Sequence, residues 1–220
     1  MILPDKRLAV CADLVTGGFA ADIGTDHAYL PSFLVRSGKC ERAIASDINP
    51  GPLEAARRTL IGEGTADRVE LFLADGTKGL PLEGVTDIIC AGMGGELISR
   101  IILEDERTRE MHIIAQPMSR AEHLRKSLFE AGFSIDEERA VRSKGHVYTA
   151  ARFVYTGRRE YDEVAVYTGG LSPLREDDRE YVRLMCERMK KAAIGMAAAR
   201  PDEAAYNEHI LALIGEKWKL

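Results

Sequence analysis

Residues 19–31, FAADIGTDHAYLP, decide the fold class. A run of five mostly apolar residues contains one acid, Asp22, and is followed by a single glycine and a helical pattern that begins near Leu30. A buried strand, a tight turn and a helix in this order start a β-α unit of a parallel sheet. The same pattern recurs downstream, so we expect strands and helices to alternate up to about residue 155.

The apolar runs predict five parallel strands, at 19–23, 42–47, 69–73, 87–91 and 111–115. The helical patterns between them predict helices at 30–37, 52–63, 96–103 and 120–131. Two extended stretches, 134–142 and 146–155, are separated by only three residues, which predicts an antiparallel hairpin at the sheet edge. The predicted fold is therefore α/β, with a Rossmann-like class I methyltransferase sheet of five parallel strands plus an antiparallel edge hairpin, and with a C-terminal α-helical hairpin.

The same patterns divide the chain into three parts. We expect a Rossmann-like domain at 1–157, a linker at 158–171 and a helical hairpin at 172–220. Ser172 and Pro173, followed by three acidic residues, predict the start of the first hairpin helix. A second proline, Pro201, separates the two helices.

Composition excludes several classes of protein. The 220 residues are 45% hydrophobic and 30% charged, values that fit a globular chain and not a disordered or fibrous one. No apolar run approaches the roughly 18 residues that a membrane span needs, and the first residues lack a signal-peptide pattern, so we expect a cytoplasmic protein without membrane contact. Four scattered cysteines without a CxxC pair argue against a zinc ribbon, and no metal is expected.

The charge is unevenly distributed along the chain. The net charge is −5, yet residues 139–159 contain six basic and no acidic residues. Such a stretch can bind a polyanion locally, because nearby charges dominate when distant ones are screened. Solvated strand faces and loop ends would explain the same stretch equally well.

In an open α/β sheet, ligands bind beyond the carboxyl ends of the strands. After the first strand, Gly24 stands alone where a dinucleotide-binding turn has three glycines, and two acids, Asp22 and Asp26, flank it. Carboxylates repel a diphosphate but suit a cation, and S-adenosylmethionine is a cation with a sulfonium and an amino group. The alternative is an ordinary strand-to-helix turn in which Asp26 caps the helix.

The next four strand ends also carry candidate binding residues. Asp47 could accept hydrogen bonds from ribose hydroxyls, and Asp75, next to Gly76, could accept one from an adenine amine or belong to an ordinary turn. Residues 91–96 (AGMGGE) contain three glycines, which leave an open entrance to the site, and they lack the Lys-Ser/Thr of a phosphate loop. Gln116, at the end of the fifth strand, could hydrogen-bond a base edge.

Together these segments resemble the bacterial tRNA (adenine-22-N1) methyltransferase family. The matching motifs are DIGTDHAYLP (22–31), SDINPGPLEAA (46–56), ADG (74–76), DIICAGMGGELI (87–98) and QPMSRAEHLRKSLFEAGFSI (116–135). The resemblance covers about residues 5–157 and implies transfer of a methyl group from S-adenosyl-L-methionine to N1 of an adenine in tRNA. One position departs: Met118 stands where the family commonly has Asn, and a thioether cannot replace an amide as a hydrogen-bonding group.

The resemblance also implies roles for individual residues. The cofactor would be held by Asp22, Gly24, Asp47, Ile48, Asp75, Gly76, Ala91, Gly92 and Met93. The reacting groups would be Asp26, His27 and Gln116, with Asp26 stabilising the charge that develops on the adenine and His27 as second choice. Apart from the resemblance, a structured RNA would need backbone contacts, so we expect the substrate to be bound by Gly94, Gly95, Arg120, Arg142, Lys144 and Arg152. Arg125, Lys126, the rest of the stretch 139–159 and the helical hairpin are further candidates for phosphate contacts.

Two other functions fit the same sequence. A methyltransferase acting on a small molecule or a protein would share the cofactor site but would not need the basic stretch. A non-catalytic nucleotide-binding module could use its helical hairpin to recruit a protein partner. A nicotinamide oxidoreductase ranks last because the required glycine pattern is missing.

Overall fold

The computed structural model describes residues 3–219. Within these residues one seven-stranded sheet is formed by β1 (Gly18–Ile23), β2 (Cys40–Asp47), β3 (Val69–Leu73), β4 (Asp87–Gly94), β5 (His112–Ser119), β6 (Phe133–Ser143) and β7 (His146–Tyr155). The helices are α1 (Lys6–Leu14), α2 (Tyr29–Arg36), α3 (Pro50–Glu63), α4 (Gly95–Leu103), α5 (Ala121–Glu130), α6 (Glu163–Thr168), α7 (Glu176–Met196), α8 (Pro201–Trp218) and a short 3₁₀ helix, Glu106–Glu110.

The strand order of the sheet is β3-β2-β1-β4-β5-β7-β6. The first five strands are parallel, and β7 pairs antiparallel with both β5 and β6. The predicted fold class is therefore confirmed. From β1 the chain adds β2 and β3 on one side of the sheet, and from β4 it adds β5 on the other side. The strand order therefore switches direction between β1 and β4, and the carboxyl ends of these two strands form the crevice where ligands bind in such sheets.

Both faces of the sheet are covered, which explains why its strands read as continuous apolar runs. Neighbouring residues of β4 point to opposite faces: Ile88 packs in a cluster with Ile98 of α4, and Ile89 packs in a cluster with Leu34 of α2. Both isoleucines are fully buried. The core therefore fixes the positions of the strand ends that carry the candidate site.

Two helices lie where the sequence predicted none. Helix α1 begins after Asp5, whose carboxylate accepts a hydrogen bond from the Arg7 backbone N–H at 2.9 Å. Helix α6 occupies part of the predicted linker 158–171 and buries Val164 and Val166. This segment is packed structure and not an extended connector, while the domain boundaries themselves remain a prediction.

The two predicted C-terminal helices are present, but the first begins later than predicted. Helix α7 starts at Glu176, because the carboxylate of Asp178 accepts a hydrogen bond from the Ser172 N–H at 2.8 Å and holds residue 172 in the preceding turn. The same carboxylate accepts from the Ala140 N–H of β6 at 2.7 Å and is 1% exposed. The hairpin is thereby attached to the edge of its own sheet.

A buried ion pair lies next to this attachment. The guanidinium of Arg125 donates to Glu138 at 2.6 Å, and the two side chains are 2% and 1% exposed. Arg125 also donates to the backbone carbonyls of Val166 and Tyr167 in α6. The prediction that Arg125 contacts RNA phosphates is wrong, because the side chain is enclosed. We call Arg125, Glu138 and Asp178 the hairpin junction.

Candidate active site

Three strand ends converge at the turn after β1. Gly24 has a φ of +76°, and a Cβ atom placed on it would lie 3.1 Å from the sulfur of Met93 at the end of β4. The N–H groups of Gly24 and Thr25 both donate to the Ser46 carbonyl of β2 at 2.8 Å. Only glycine combines this backbone conformation with such a close neighbour. The turn thus keeps the ends of β1, β2 and β4 together.

The carboxyl group of Asp22 lies just beneath this turn and has no cationic partner. The residue is 7% exposed, and no salt bridge is formed to it by any residue within 3–219. Burial raises the pKa of Asp22 to about 6, the nearby charge of Asp47 acts in the same direction, and a hydrogen bond with the Thr25 side chain opposes them. A buried carboxylate that lacks an internal cation is suited to a cationic ligand.

Polar groups at the end of β2 are also incompletely bonded. The Ser46 hydroxyl is buried, and it makes no hydrogen bond within the part of the chain that the structure describes. Asp47 is half-buried and accepts one hydrogen bond, from the Asn49 N–H at 2.8 Å. Ile48 is 60% exposed beside it. Buried polar atoms are normally bonded, so Ser46 and Asp47 fit a site that a ligand with hydroxyl groups would complete.

Asp75 and Gly76 line a cleft of about 220 Å³ at the end of β3. The Asp75 carboxylate lies 3.4 Å from Arg100 and 3.7 Å from Lys78, and all three side chains are partly exposed. A Cβ atom on Gly76 would lie 3.3 Å from Ile101, so glycine keeps the wall of the cleft open. An adenine amine that binds Asp75 would have to share it with these two cations.

The end of β4 at residues 91–94, where its register with β5 is irregular and which we call the β4 loop, is held in place by Gln116. Gly92 has a φ of +81°, and its N–H donates to the Gln116 side-chain oxygen at 3.2 Å. The amide nitrogen of Gln116 donates to the Pro117 carbonyl at 3.0 Å, and the residue is only 1% exposed. The predicted contact with a base would require these bonds to open. The geometry instead favours a role for Gln116 in positioning the loop.

The loop then enters α4 through Gly94 and Gly95. A Cβ atom on Gly95 would collide with the backbone carbonyl of Arg120, so the backbone segments at Gly95 and Arg120 approach as closely as glycine permits. The Arg120 side chain is exposed and donates to Glu96 at 2.8 Å. The predicted substrate residues Gly94, Gly95 and Arg120 therefore lie side by side at one edge of the candidate site.

Asp26 and His27 lie at the mouth of the site. Their side chains are 81% and 44% exposed, and the Asp26 Oδ2 atom lies 3.5 Å from the His27 Nε2 atom. The His27 ring stacks on Tyr29 with ring centroids 5.2 Å apart. Helix α2 is preceded by Ala28 without a side-chain cap, so Asp26 does not cap it. The carboxylate of Asp26 is thus open to a ligand.

Two arginines of the basic stretch that were predicted to bind the substrate, Arg142 and Arg152, are paired with acids from outside the stretch. Arg142 forms an ion pair with Glu180 of α7. Arg152 is 18% exposed and donates to Asp136 and to the Leu14 carbonyl, both at 2.7 Å. A contact between Arg152 and RNA would require these internal bonds to break. Among the predicted substrate residues of this stretch, Lys144 is the most exposed, at 77%, and it lies 3.8 Å from Asp5.

A cluster of polar side chains at the start of α1 was not predicted from the sequence. Arg7 donates to Asp5 and reaches the side chains of Gln116, Met118 and Tyr148 at the carboxyl end of the sheet. The available signal was the capping pattern of Asp5, which stands two residues before Arg7. That pattern predicts a helix start but gives no hint that the helix lies over the site, since the contacts join residues more than 100 positions apart.

Two further features of the described residues bear on function. Within residues 3–219, no three or more His, Cys, Asp or Glu side chains are grouped so that they could hold a metal ion. No helix in this range combines the length and the apolar character required to cross a bilayer.

Comparison with known proteins places this geometry in a family. A family model described as a methyltransferase domain matches residues 4–150. The tRNA (adenine(22)-N(1))-methyltransferase of Bacillus subtilis is 32% identical over 171 residues, which are 76% of this chain and 71% of that protein. The chain belongs to the tRNA (adenine(22)-N(1))-methyltransferase family.

Solved structures agree with this family assignment. The crystal structure of Streptococcus pneumoniae Sp1610 is 28% identical, with a TM-score of 0.86, and covers 99% of this chain and 100% of the other. The same protein in complex with S-adenosyl-L-methionine has a TM-score of 0.81, with 94% and 98% of the two chains covered. The resemblance on which the sequence analysis relied is therefore confirmed, and it extends through the C-terminal helices.

Proposed function

We propose that this protein transfers a methyl group from S-adenosyl-L-methionine to N1 of the adenine at position 22 of tRNA. The observation that carries the proposal is the buried Asp22 carboxylate, which has no cationic partner among residues 3–219 and lies at the switch point of a methyltransferase sheet. The membership of the chain in the tRNA (adenine(22)-N(1))-methyltransferase family supplies the acceptor atom.

The cofactor would be held by residues at the ends of four strands. Asp22 would pair with the positive charge of the cofactor. The Gly24 turn and the residues from Ala91 to Met93 would leave room for the methyl donor. The Asp47 carboxylate would accept hydrogen bonds from ribose hydroxyls, and the Ser46 hydroxyl would donate to them or accept from them. Ile48, Asp75 and Gly76 would border the adenine. When bound, the cofactor supplies a methyl group that its sulfonium already activates.

The enzyme's own task is to position the acceptor and to stabilise its charge. The ring nitrogen must lie in line with the donor, and such positioning contributes a large part of the rate. Methylation at N1 leaves the adenine positively charged. The exposed carboxylate of Asp26 would accept a hydrogen bond from the 6-amino group and offset this charge, and His27, 3.5 Å away, would orient it.

The tRNA would approach the open mouth beside Asp26. An adenine in a folded RNA exposes N1 only when it leaves its pair or stack, so backbone contacts elsewhere must hold the RNA. We propose Lys144, Arg120 and Lys126 for these contacts, because their side chains are well exposed. A tRNA substrate also favours a cytoplasmic location.

Nucleoside mass spectrometry tests the proposal. The purified protein is incubated with labelled cofactor and with unmodified tRNA transcripts that carry adenine or guanine at position 22. We expect labelled 1-methyladenosine from the first transcript only. Methylation of both transcripts would contradict the proposed position, and no labelled nucleoside from either would contradict the proposed reaction.

Methyl transfer to a small molecule is a second candidate, and one observation favours it. Two arginines of the basic stretch that were expected to bind the substrate are paired with acids of the same protein, Arg142 with Glu180 and Arg152 with Asp136. Labelled product from a metabolite pool, with none from tRNA, would select this candidate.

A further inference from the structure

Arg7 is held rigidly by Asp5 and Ser143. Its Nε and Nη2 atoms donate to the two carboxylate oxygens of Asp5 at 3.1 and 2.7 Å, and the Ser143 hydroxyl donates to the same carboxylate at 3.0 Å. These hydrogen bonds hold the pKa of Asp5 far below its usual range, with the one from the Arg7 side chain the largest cause, so the pair stays charged. A planar guanidinium in such a two-pronged bond has a fixed orientation.

The face of the same guanidinium is also fixed. Its central carbon lies 5.1 Å from the centre of the Tyr148 ring, within the range of a cation–π contact. The Arg7 side chain is 17% exposed. The Nε and Nη2 atoms are thus bonded to Asp5, the group lies over the Tyr148 ring, and the remaining nitrogen, Nη1, points towards the end of β5.

That remaining nitrogen, Nη1, has weak partners. It lies 3.5 Å from the Gln116 side-chain oxygen, a distance at which a hydrogen bond contributes little. Its other neighbour is the sulfur of Met118, a weak acceptor, and this contact is exposed to solvent. The Gln116 oxygen also accepts from Gly92, so Nη1 lies beside the β4 loop of the candidate active site. A preorganised, charged donor thus faces the site without a strong acceptor in the part of the chain that the structure describes.

We propose that Nη1 of Arg7 binds a phosphate oxygen of the nucleotide that is methylated. This inference rests on the proposed function, because it requires an RNA substrate. The adenine ring becomes positively charged in the reaction, so a fixed cation is better suited to the phosphate than to the ring. A guanidinium is also the side chain that matches phosphate geometry best. Arg7 would then fix the distance between the RNA backbone and the β4 loop.

The experiment compares R7K with R36A. R7K keeps the charge beside Asp5 but replaces the planar group by a point-like ammonium, whereas R36A removes a charge at the far end of α2, where Arg36 pairs with Glu63. For R7K we expect tRNA to bind about tenfold more weakly. The slope of log affinity against log salt should fall by about 0.7 to 0.9, because the single ammonium of the variant stays on Asp5 and one phosphate contact is lost. Calorimetry with S-adenosylhomocysteine should give an unchanged affinity, and R36A should match the wild type throughout.

A modified RNA tests the same contact without changing the protein. A tRNA with an uncharged methylphosphonate at the phosphate of adenosine 22 should bind the wild-type protein about tenfold more weakly than normal tRNA, and R7K should bind the two RNAs equally. Equal binding of both RNAs by the wild type would overturn the inference, even if R7K failed to fold. A wild type that binds tRNA yet produces no 1-methyladenosine would overturn the proposed function instead, so the two failures are distinguishable.

Discussion

Two buried carboxylates of the sheet differ in whether the protein itself supplies a cation to pair with them. Glu138, on the edge strand β6, is enclosed with Arg125 and also accepts from the Gly170 N–H at 2.9 Å. Asp22, on the central strand β1, is 7% exposed and has no cation near it within the described chain. The charge of Glu138 is neutralised within the protein and maintains structure, whereas Asp22, which is bonded by Thr25 but by no cation of the described chain, is suited to a cationic ligand.

The largest effect is expected on stability, when the buried Arg125–Glu138 pair is broken. R125A leaves the buried Glu138 without its cation and should lower the free energy of unfolding by about 3–5 kcal/mol. Denaturation in urea measures this change. The control is R139A, which removes a half-exposed arginine next to Glu138 in sequence and should cost about 1 kcal/mol or less. Equal losses in the two variants would show that burial of the pair is unimportant.

Asp26 extends the comparison to a carboxylate that is exposed and that we expect to act on the substrate. D26A should lower kcat for methyl transfer by about 10²-fold, because the developing charge on the adenine loses its neighbour. Cofactor affinity should change little, and the protein should remain folded. Single-turnover kinetics on tRNA measure the effect, and turnover near that of the wild type would remove Asp26 from the mechanism.

For Asp22, the expected effect is on cofactor binding and not on folding. D22N should weaken the binding of S-adenosylhomocysteine by about 30-fold, the loss of one charge-assisted contact of about 2 kcal/mol. The free protein should be as stable as the wild type or more so, because a buried charge is removed. Calorimetry and thermal melting measure the two quantities. A strong loss of stability would mean that Asp22 is part of the structural core.

The pH dependence of binding should show a smaller, graded effect. Since the pKa of Asp22 is raised to about 6, the free folded protein holds a proton there below pH 6 that a cationic ligand must displace. Affinity should therefore fall up to tenfold per pH unit as pH drops below 6 and should level off above pH 7. For the ligand-free protein the sign is opposite: the contribution of Asp22 to stability declines as pH rises from about 4 to 6.

D22N provides the control for this pH profile. Its cofactor affinity should be flat over the same range, because the titrating group is absent. A wild-type profile that is equally flat would mean that Asp22 is already ionised at pH 5 or does not contact the charge of the ligand.

The sequence predicted the features that depend on local pattern. The five parallel strands and the edge hairpin were found within a few residues, because strands buried on both faces leave continuous apolar runs. The Gly24 turn was visible because it follows β1 directly, and the two acids, Asp22 and Asp26, stand within two residues of it in sequence. Helix α6 was missed because its six residues are too few to show a helical period.

The sequence does not show contacts between distant parts of the chain. Arg125 and Arg152 looked available to RNA because no acid is adjacent to them in sequence, yet Arg125 meets Glu138 and α6, and Arg152 meets Asp136 and Leu14. Gln116 looked free until Gly92 came within 3.2 Å. A composition count cannot tell a basic surface from a set of internal ion pairs. Only the tertiary fold supplies that distinction.

The hairpin junction limits how the molecule can be dissected. Truncation before residue 172 would remove Asp178, leave the Ala140 N–H without its acceptor and uncover apolar side chains that now face α7 and α8. A shortened protein that lost activity would therefore say little about what the C-terminal helices recognise, because damage to the catalytic half would give the same readout. Point changes on the outer surface of α7 and α8 are the informative route, since they leave both halves joined.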